Sequence, residues 1–245
     1  MGTLSDLKVL FHLAPRPTRG KDHAARLENF YGPQAQEYDD FRRRLLKGRR
    51  PLYEAIDAPE GGVWVDLGGG TGSNLELLGG GLEKLKKVYL VDLSPSLLRI
   101  ANERIERHGW KNVVTVEADA TRFQPPDGPA DVVTFSYSLT MIPNWFAALA
   151  GAAAMLRPGG LVGVVDFYVS RKYPPDTRVR HRWSTRTFWP IWFSLNNVFP
   201  SPDHVPYLNR NFEVVQFTEY RAKVPYLPLV RVPYYTFIGR KGQVG

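Results

Sequence analysis

A chain of 245 residues has room for one α/β domain with a full core or for two small ones, and the order of elements below favours one domain carrying an insertion. The absence of cysteine excludes disulfides and thiolate metal sites, which fits a reducing compartment, and no metal is expected. The excess of 32 Lys and Arg over 24 Asp and Glu, a net charge of +8, suits an anionic partner.

At the start, Leu4, Leu7, Leu10, Phe11 and Leu13 suit one face of a short helix. Asp6 and Lys8 interrupt any secretory core there, and Asp6 stands where a myristoylation start requires Ser or Thr. Residues 1–58 are expected to form a helical cap, with the basic run Arg42-Arg43-Arg44, Lys47, Arg49 and Arg50 on a solvated face. The first strand, Val63-Trp64-Val65-Asp66-Leu67, runs directly into Gly68-Gly69-Gly70-Thr71-Gly72. A second strand, Val88 to Val91, ends at Asp92, where a doubly wound fold offers a carboxylate to ribose hydroxyls. The dinucleotide fingerprint G-x-G-x-x-G fails, because Ser73 occupies its third glycine position. The pattern that remains, D-x-G-x-G-x-G over Asp66, Gly68, Gly70 and Gly72, resembles the cofactor loop of Rossmann-like S-adenosylmethionine methyltransferases. A plain glycine turn between strand and helix is the alternative.

Later motifs follow the same template in order. Val113 to Val116 reads as a third strand leading to Asp119 and Ala120, and a carboxylate there can accept from the adenine amino group. Asp131 to Ser136 reads as a fourth strand, Trp145 to Leu156 as an alanine-rich helix too short to span a bilayer, and Arg157-Pro158-Gly159-Gly160 as a turn before a fifth strand, Leu161 to Phe167. An insertion over 168–210 holds seven Lys or Arg against two Asp, and nine of the 31 aromatic residues. Arg178, Arg180, Arg182 and Arg186 beside Trp183, Phe188, Trp189, Trp192 and Phe193 suit either an anionic membrane interface or an aromatic cap on the core with arginines facing water. Glu213 to Tyr220 and Val232 to Gly239 then read as a closing antiparallel pair around a proline-rich connection. The expected fold is α/β, a Rossmann-like seven-stranded sheet, mostly parallel with its last strand antiparallel, in one compact domain spanning 59–245 behind the cap.

Six blocks outside the glycine loop narrow the resemblance. Tyr38 to Leu46, Phe135 to Pro143, Val164 to Ser170, Thr187 to Pro190, Ser201 to His204, and Ala222 to Tyr226 with Val230 to Tyr235 are similar to the N-methyltransferase part of betaine lipid synthase, over about Ser5 to Arg240. This resemblance implies S-adenosylmethionine as cofactor and trimethylation of the amine of diacylglycerylhomoserine. It also implies a partner, separate or fused, that supplies the homoserine portion. The location implied is cytoplasmic and peripheral to a membrane, the endoplasmic reticulum or the bacterial inner membrane.

Such a transfer needs a neutral amine lone pair aligned with the sulfur–carbon bond and water excluded. Asp166 and His204 are the candidate proton acceptors. Tyr31, Tyr38, Tyr137 and Tyr168 are candidate walls for the quaternary ammonium, and the arginines from Arg178 to Arg186 candidates for the homoserine carboxylate. Tyr38, Asp66, Gly68, Gly70, Gly72, Asp92, Leu93, Asp119, Ala120 and Ser136 are the expected cofactor contacts. A nucleic-acid methyltransferase is the rival enzyme reading, although Ser136-Tyr137-Ser138-Leu139 lacks the Asn/Asp-Pro-Pro-aromatic motif of many base-amine methylases, so no nucleic acid is expected. A noncatalytic adenosylmethionine-binding module is the rival from another class.

Overall fold

The computed structural model describes residues 21, 23–31, 45–195, 197–224 and 227–243. Helices α1 (His23–Tyr31) and α2 (Arg49–Ala55) precede strand β1 (Val63–Leu67), a kinked 3-10 segment (Leu75–Lys84) and β2 (Lys87–Asp92). Then come α3 (Pro95–His108), β3 (Val113–Glu117), β4 (Ala130–Ser136), a 3-10 turn (Leu139–Met141), α4 (Trp145–Met155) and β5 (Leu156–Phe167). The insertion contributes α5 (Trp183–Ser194) and α6 (His204–Asn211), and β6 (Glu213–Val224) and β7 (Leu227–Arg240) close the chain. Among the described residues no helix is long and apolar enough to cross a membrane.

The strands form one sheet in the order β3-β2-β1-β4-β5-β7-β6. β1 to β5 pair in parallel, β7 inserts antiparallel beside β5, and β6 pairs antiparallel with β7. All five residues of β1 are buried, as a parallel strand covered on both faces requires. The period of two then sorts side chains into two cores. Trp64, Val88, Leu90, Val132 and Val165 pack towards α2 and α5, while Val65, Leu67, Tyr89, Val91 and Val133 pack towards α4 and α6.

Two expected boundaries move. Arg157-Pro158-Gly159-Gly160 is the bulged start of β5, because Leu156 already pairs with Ala130 before the register shifts. The closing hairpin runs further than expected, with β6 reaching Val224 and β7 beginning at Leu227. Helix α3 is placed by its ends. The Ser94 hydroxyl accepts from the Leu97 amide at 3.3 Å, Pro95 opens the first turn, and Gly109 closes it in the left-handed conformation.

Candidate active site

The C-terminal ends of the parallel strands are where an open α/β sheet receives a ligand, and a cavity of about 320 Å³ lies there. Its lining includes Gly68, Gly70, Asp92, Leu93, Asp119, Ala120 and Tyr137 from among the expected residues. The glycine loop is shaped by backbone necessity. Gly68 sits at φ 70°, and a Cβ on it would lie 2.5 Å from Ser138 Cβ, closer than real side chains approach. The Ser138 hydroxyl meanwhile donates to the Leu67 carbonyl at 2.8 Å, so the segment after β4 holds the loop from one side. Two buried arginines hold it from the other: Arg104 donates to the Thr71 carbonyl and, at 2.7 Å, to Glu76, while Arg49 donates to the Asn74 side chain at 3.1 Å.

Asp92 joins loop to strand. One carboxylate oxygen accepts from the Gly70 amide and the other from the Ser94 amide, both at 2.9 Å. A carboxylate can accept about four hydrogen bonds, so these ties are compatible with ribose hydroxyls. At Asp119, Thr121 donates to Oδ1 twice, from its amide and its hydroxyl, each at 2.8 Å. Oδ2 is the acceptor left for an adenine amino group. Two carboxylates about a glycine-lined cavity thus fit a ribose-bearing cofactor.

Tyr137 is the strained residue of the site. Its φ is 56°, a left-handed conformation costly for a bulky side chain and found where function over-determines the backbone. Its amide donates to the Val165 carbonyl at 2.8 Å and its hydroxyl to the Lys47 carbonyl at 2.6 Å. Burial first, then the neighbouring Asp166 and Tyr234, push the phenol well above its usual range. Tyr137 therefore stays protonated and works as a wall, with no capacity to take an amine proton at neutral pH.

Several expected residues stand elsewhere. Asp66 is fully buried and does not line the cavity. The period of two turns it to the α2 face, where Oδ1 accepts from the Tyr53 hydroxyl at 2.9 Å and the Thr134 hydroxyl at 2.8 Å. Gly72 also lies behind the lining; a Cβ there would meet Leu90 Cδ1 at 2.9 Å, so this glycine permits close packing inside the fold. Ser136 is buried within β4, again off the cavity. The candidate proton acceptors are displaced for a related reason. Asp166 is fully buried and clamps the turn after β4, accepting from the Thr140 hydroxyl at 2.7 Å and from the Thr140 and Phe167 amides at 3.1 and 2.8 Å. It positions cavity residues without touching the cavity.

His204 opens α6 fully buried against the edge of Trp145, with ring centroids 4.7 Å apart. Neither ring nitrogen has a hydrogen-bond partner among the described residues, and burial pushes its pKa down to about 3. It is a neutral packing residue. Tyr168 and Arg178 face a separate cavity with no lining residue in common with this one. Tyr38 lies outside the described residues, as does the side chain of Tyr31.

Sequence reasoning named a helical cap but not the residues through which a helix covers the cavity. Leu27 of α1 lines the cavity and packs on Leu97, while Glu28 accepts from the Ser94 hydroxyl at 2.6 Å and from the Ser96 hydroxyl. Burial opposes ionisation of Glu28, but these bonds prevail and hold its carboxyl below the usual value. Met141, Ile142, Pro143 and Asn144 form another wall. Asn144 caps α4 by accepting from the Ala147 amide at 3.3 Å, and Pro-Asn before an apolar helical run was the available signal.

The model of a methyltransferase domain matches residues 35–217. The chain belongs to that family. The methyltransferase uses S-adenosylmethionine. It is 27% identical over 151 residues to a ubiquinone/menaquinone biosynthesis C-methyltransferase, UbiE, of Cupriavidus necator, covering 60% of this chain and 62% of that one. A UbiE of Shewanella pealeana is 31% identical over 120 residues, or 49% of this chain and 48% of its own length. The methyltransferase thus spans less than two thirds of the length of these relatives. Among solved structures, the N-methyltransferase NodS of Bradyrhizobium japonicum in complex with S-adenosyl-L-homocysteine superposes with a TM-score of 0.57 at 14% identity, over 97% of this chain and 98% of that one. A SAM-dependent methyltransferase of Aquifex aeolicus gives 0.56 at 17% identity, over 84% and 97%. At these identities the likeness is one of fold.

The Asp166 clamp carries a pH signature. Burial raises its carboxyl to about 7 from 3.8 despite the bonds from Thr140, Phe167 and Leu139. A raised folded pKa means that the folded chain holds this proton more tightly than the unfolded one. The stabilisation is complete below about pH 4 and is lost as pH rises through about 7. The window is worth on the order of 4 kcal/mol. Asp166→Asn, which cannot titrate, is expected to flatten the fall in urea-unfolding free energy between pH 4 and 7. It should also lower absolute stability, because an amide NH2 would face N–H donors. An unchanged slope would remove Asp166 from this role.

Proposed function

We propose that the methyltransferase transfers methyl groups to the amine of a membrane-borne lipid, of the kind represented by diacylglycerylhomoserine, giving its trimethylated betaine. One observation carries the apolar acceptor: a run of aromatic rings leads from the cavity wall to an exposed apolar helix. Tyr137 packs on Phe167 at 4.6 Å, Phe167 stacks on Phe193 at 4.7 Å, and Phe193 stacks on Trp189 at 5.3 Å. On the outer side of α5, Phe188, Ile191 and Leu195 recur at spacings of three and four and are exposed, with Trp183 73% exposed at the helix start. Arg180 and Arg182 lie just before it, so the surface combines apolar and cationic groups as an anionic bilayer interface prefers. This reading makes the protein peripheral to a membrane and places the lipid's supplier among its partners.

S-adenosylmethionine supplies an electrophilic methyl group on a sulfonium. Gly68, Gly70, Asp92 and Asp119 are the residues that would hold it. Tyr137 then walls the acceptor side and Leu27 excludes water from above. An α-amine sheds its proton readily near neutral pH, consistent with a cavity whose expected bases, Asp166 and His204, are turned away.

The UbiE relatives favour a second reading, C-methylation of a quinone precursor. Vesicles carrying diacylglycerylhomoserine, vesicles carrying a demethylated quinone, and bulk RNA should each be offered with labelled S-adenosylmethionine. Label is expected in the amine lipid as mono-, di- and trimethyl products by mass spectrometry. Label confined to the quinone would establish the second reading, and label in RNA alone would overturn both.

A further inference from the structure

A second cavity, of about 400 Å³, opens between α6, β6 and the segment 170–179. Its volume falls within the range of small-molecule sites. Four prolines, Pro174, Pro175, Pro202 and Pro206, stiffen the walls, and the base is Tyr168 at the end of β5. Nothing in the methyl-transfer reading uses it.

Arg178 is its unusual member. The guanidinium carbon sits 3.7 Å from the centroid of the Phe217 ring, so its plane is pinned by a cation–π contact. Among the described residues its side chain makes no hydrogen bond and no salt bridge. The carboxylate on the same lining has other partners: Glu219 accepts from the Tyr168 hydroxyl through one oxygen and from the Val179 amide at 3.0 Å through the other. Arg171, also on the lining, reaches Asp203 at 2.6 Å through Nη2 and at 2.8 Å through Nε, which leaves Nη1 for another acceptor. At the rim, Lys172 and Arg180 both approach the ring of Tyr173, at 5.3 and 5.4 Å. Among the described residues the lining thus holds two cations, Arg171 and Arg178, against one carboxylate, Glu219.

We propose that this cavity binds a phosphate group, taken by the fork of Arg178 with Arg171 as second donor. A planar guanidinium held rigid and without an acceptor matches two oxygens of a phosphate at little entropic cost. The phosphate comes either from an anionic phospholipid headgroup or from a free phosphate ester. Tyr173 and Val179 on the lining are large exposed hydrophobic residues and favour the headgroup. The site does not depend on which molecule accepts the methyl group.

The test uses the full chain, as wild type and as Arg178→Gln. Calorimetry with glycerol phosphate, and sedimentation with phosphatidylglycerol against phosphatidylcholine vesicles, provide the two arms. S-adenosylmethionine affinity measured alongside reports on the integrity of the fold. The expected result is at least tenfold weaker phosphate binding in Arg178→Gln with cofactor affinity unchanged. An Arg178-dependent difference on phosphatidylglycerol vesicles identifies the headgroup as source, and one confined to glycerol phosphate identifies the free ester. Equal binding by both proteins in both arms overturns the proposal. Should Arg178→Gln lose cofactor binding, wild-type crystals soaked in glycerol phosphate decide: phosphate density against Arg178 upholds the site, and its absence there refutes it.

Discussion

Gly68→Ala is expected to be among the most damaging single-methyl additions within the described residues. A left-handed backbone costs an L-residue about 1–2 kcal/mol, and forcing a methyl against Ser138 Cβ at 2.5 Å adds the roughly 1–3 kcal/mol of an overpacked core. The sum, about 2–5 kcal/mol, is a large share of the roughly 5–15 kcal/mol that holds a typical domain folded. Urea unfolding should show a lower midpoint at unchanged slope. Adding Ser138→Gly relieves the collision but leaves the strained φ and removes the hydroxyl's bond to the Leu67 carbonyl, so the double variant should recover only part of the loss. A Gly68→Ala protein within about 0.5 kcal/mol of wild type would mean that the loop has room which its geometry denies.

Asp92→Ala should strike cofactor binding hardest. It removes an acceptor from the Gly70 amide and another from the Ser94 amide, and with them the carboxylate offered to ribose. Hydrogen bonds to charged groups contribute about 1.5–3 kcal/mol, so the dissociation constant for S-adenosylmethionine should rise roughly 10- to 100-fold by calorimetry. Asp92→Asn keeps one acceptor oxygen and should fall between. Affinity unchanged in Asp92→Ala would sever this residue from the cofactor.

The places of these two residues on the cavity were legible because signal and position share a local cause. A strand followed by glycines in left-handed conformations, or a carboxylate ending the next strand, is dictated by a few adjacent positions. The alternation of buried strands made the sheet and its closing pair readable in the same way. Asp66 shows where local reading stops. Its place in the motif pointed to the cofactor, while its face of the strand, set by the period of two, delivered it to Tyr53 and Thr134. Asp166 and His204 were chosen for chemistry, yet both were claimed by packing: one under the Thr140 turn, the other against Trp145. The cover by Leu27 and Glu28 depends on a helix meeting residues about 70 positions away, and no spacing in the sequence announces such a meeting.

Ser94 has two duties. Its oxygen caps α3 through the Leu97 amide while its proton goes to Glu28 of α1. Prising the first helix away therefore also disturbs the start of another, whose cap is worth about 1 kcal/mol. One hydroxyl thus fastens both the helix that covers the cavity and the first turn of its neighbour, so a substitution at this serine would be felt in two elements at once.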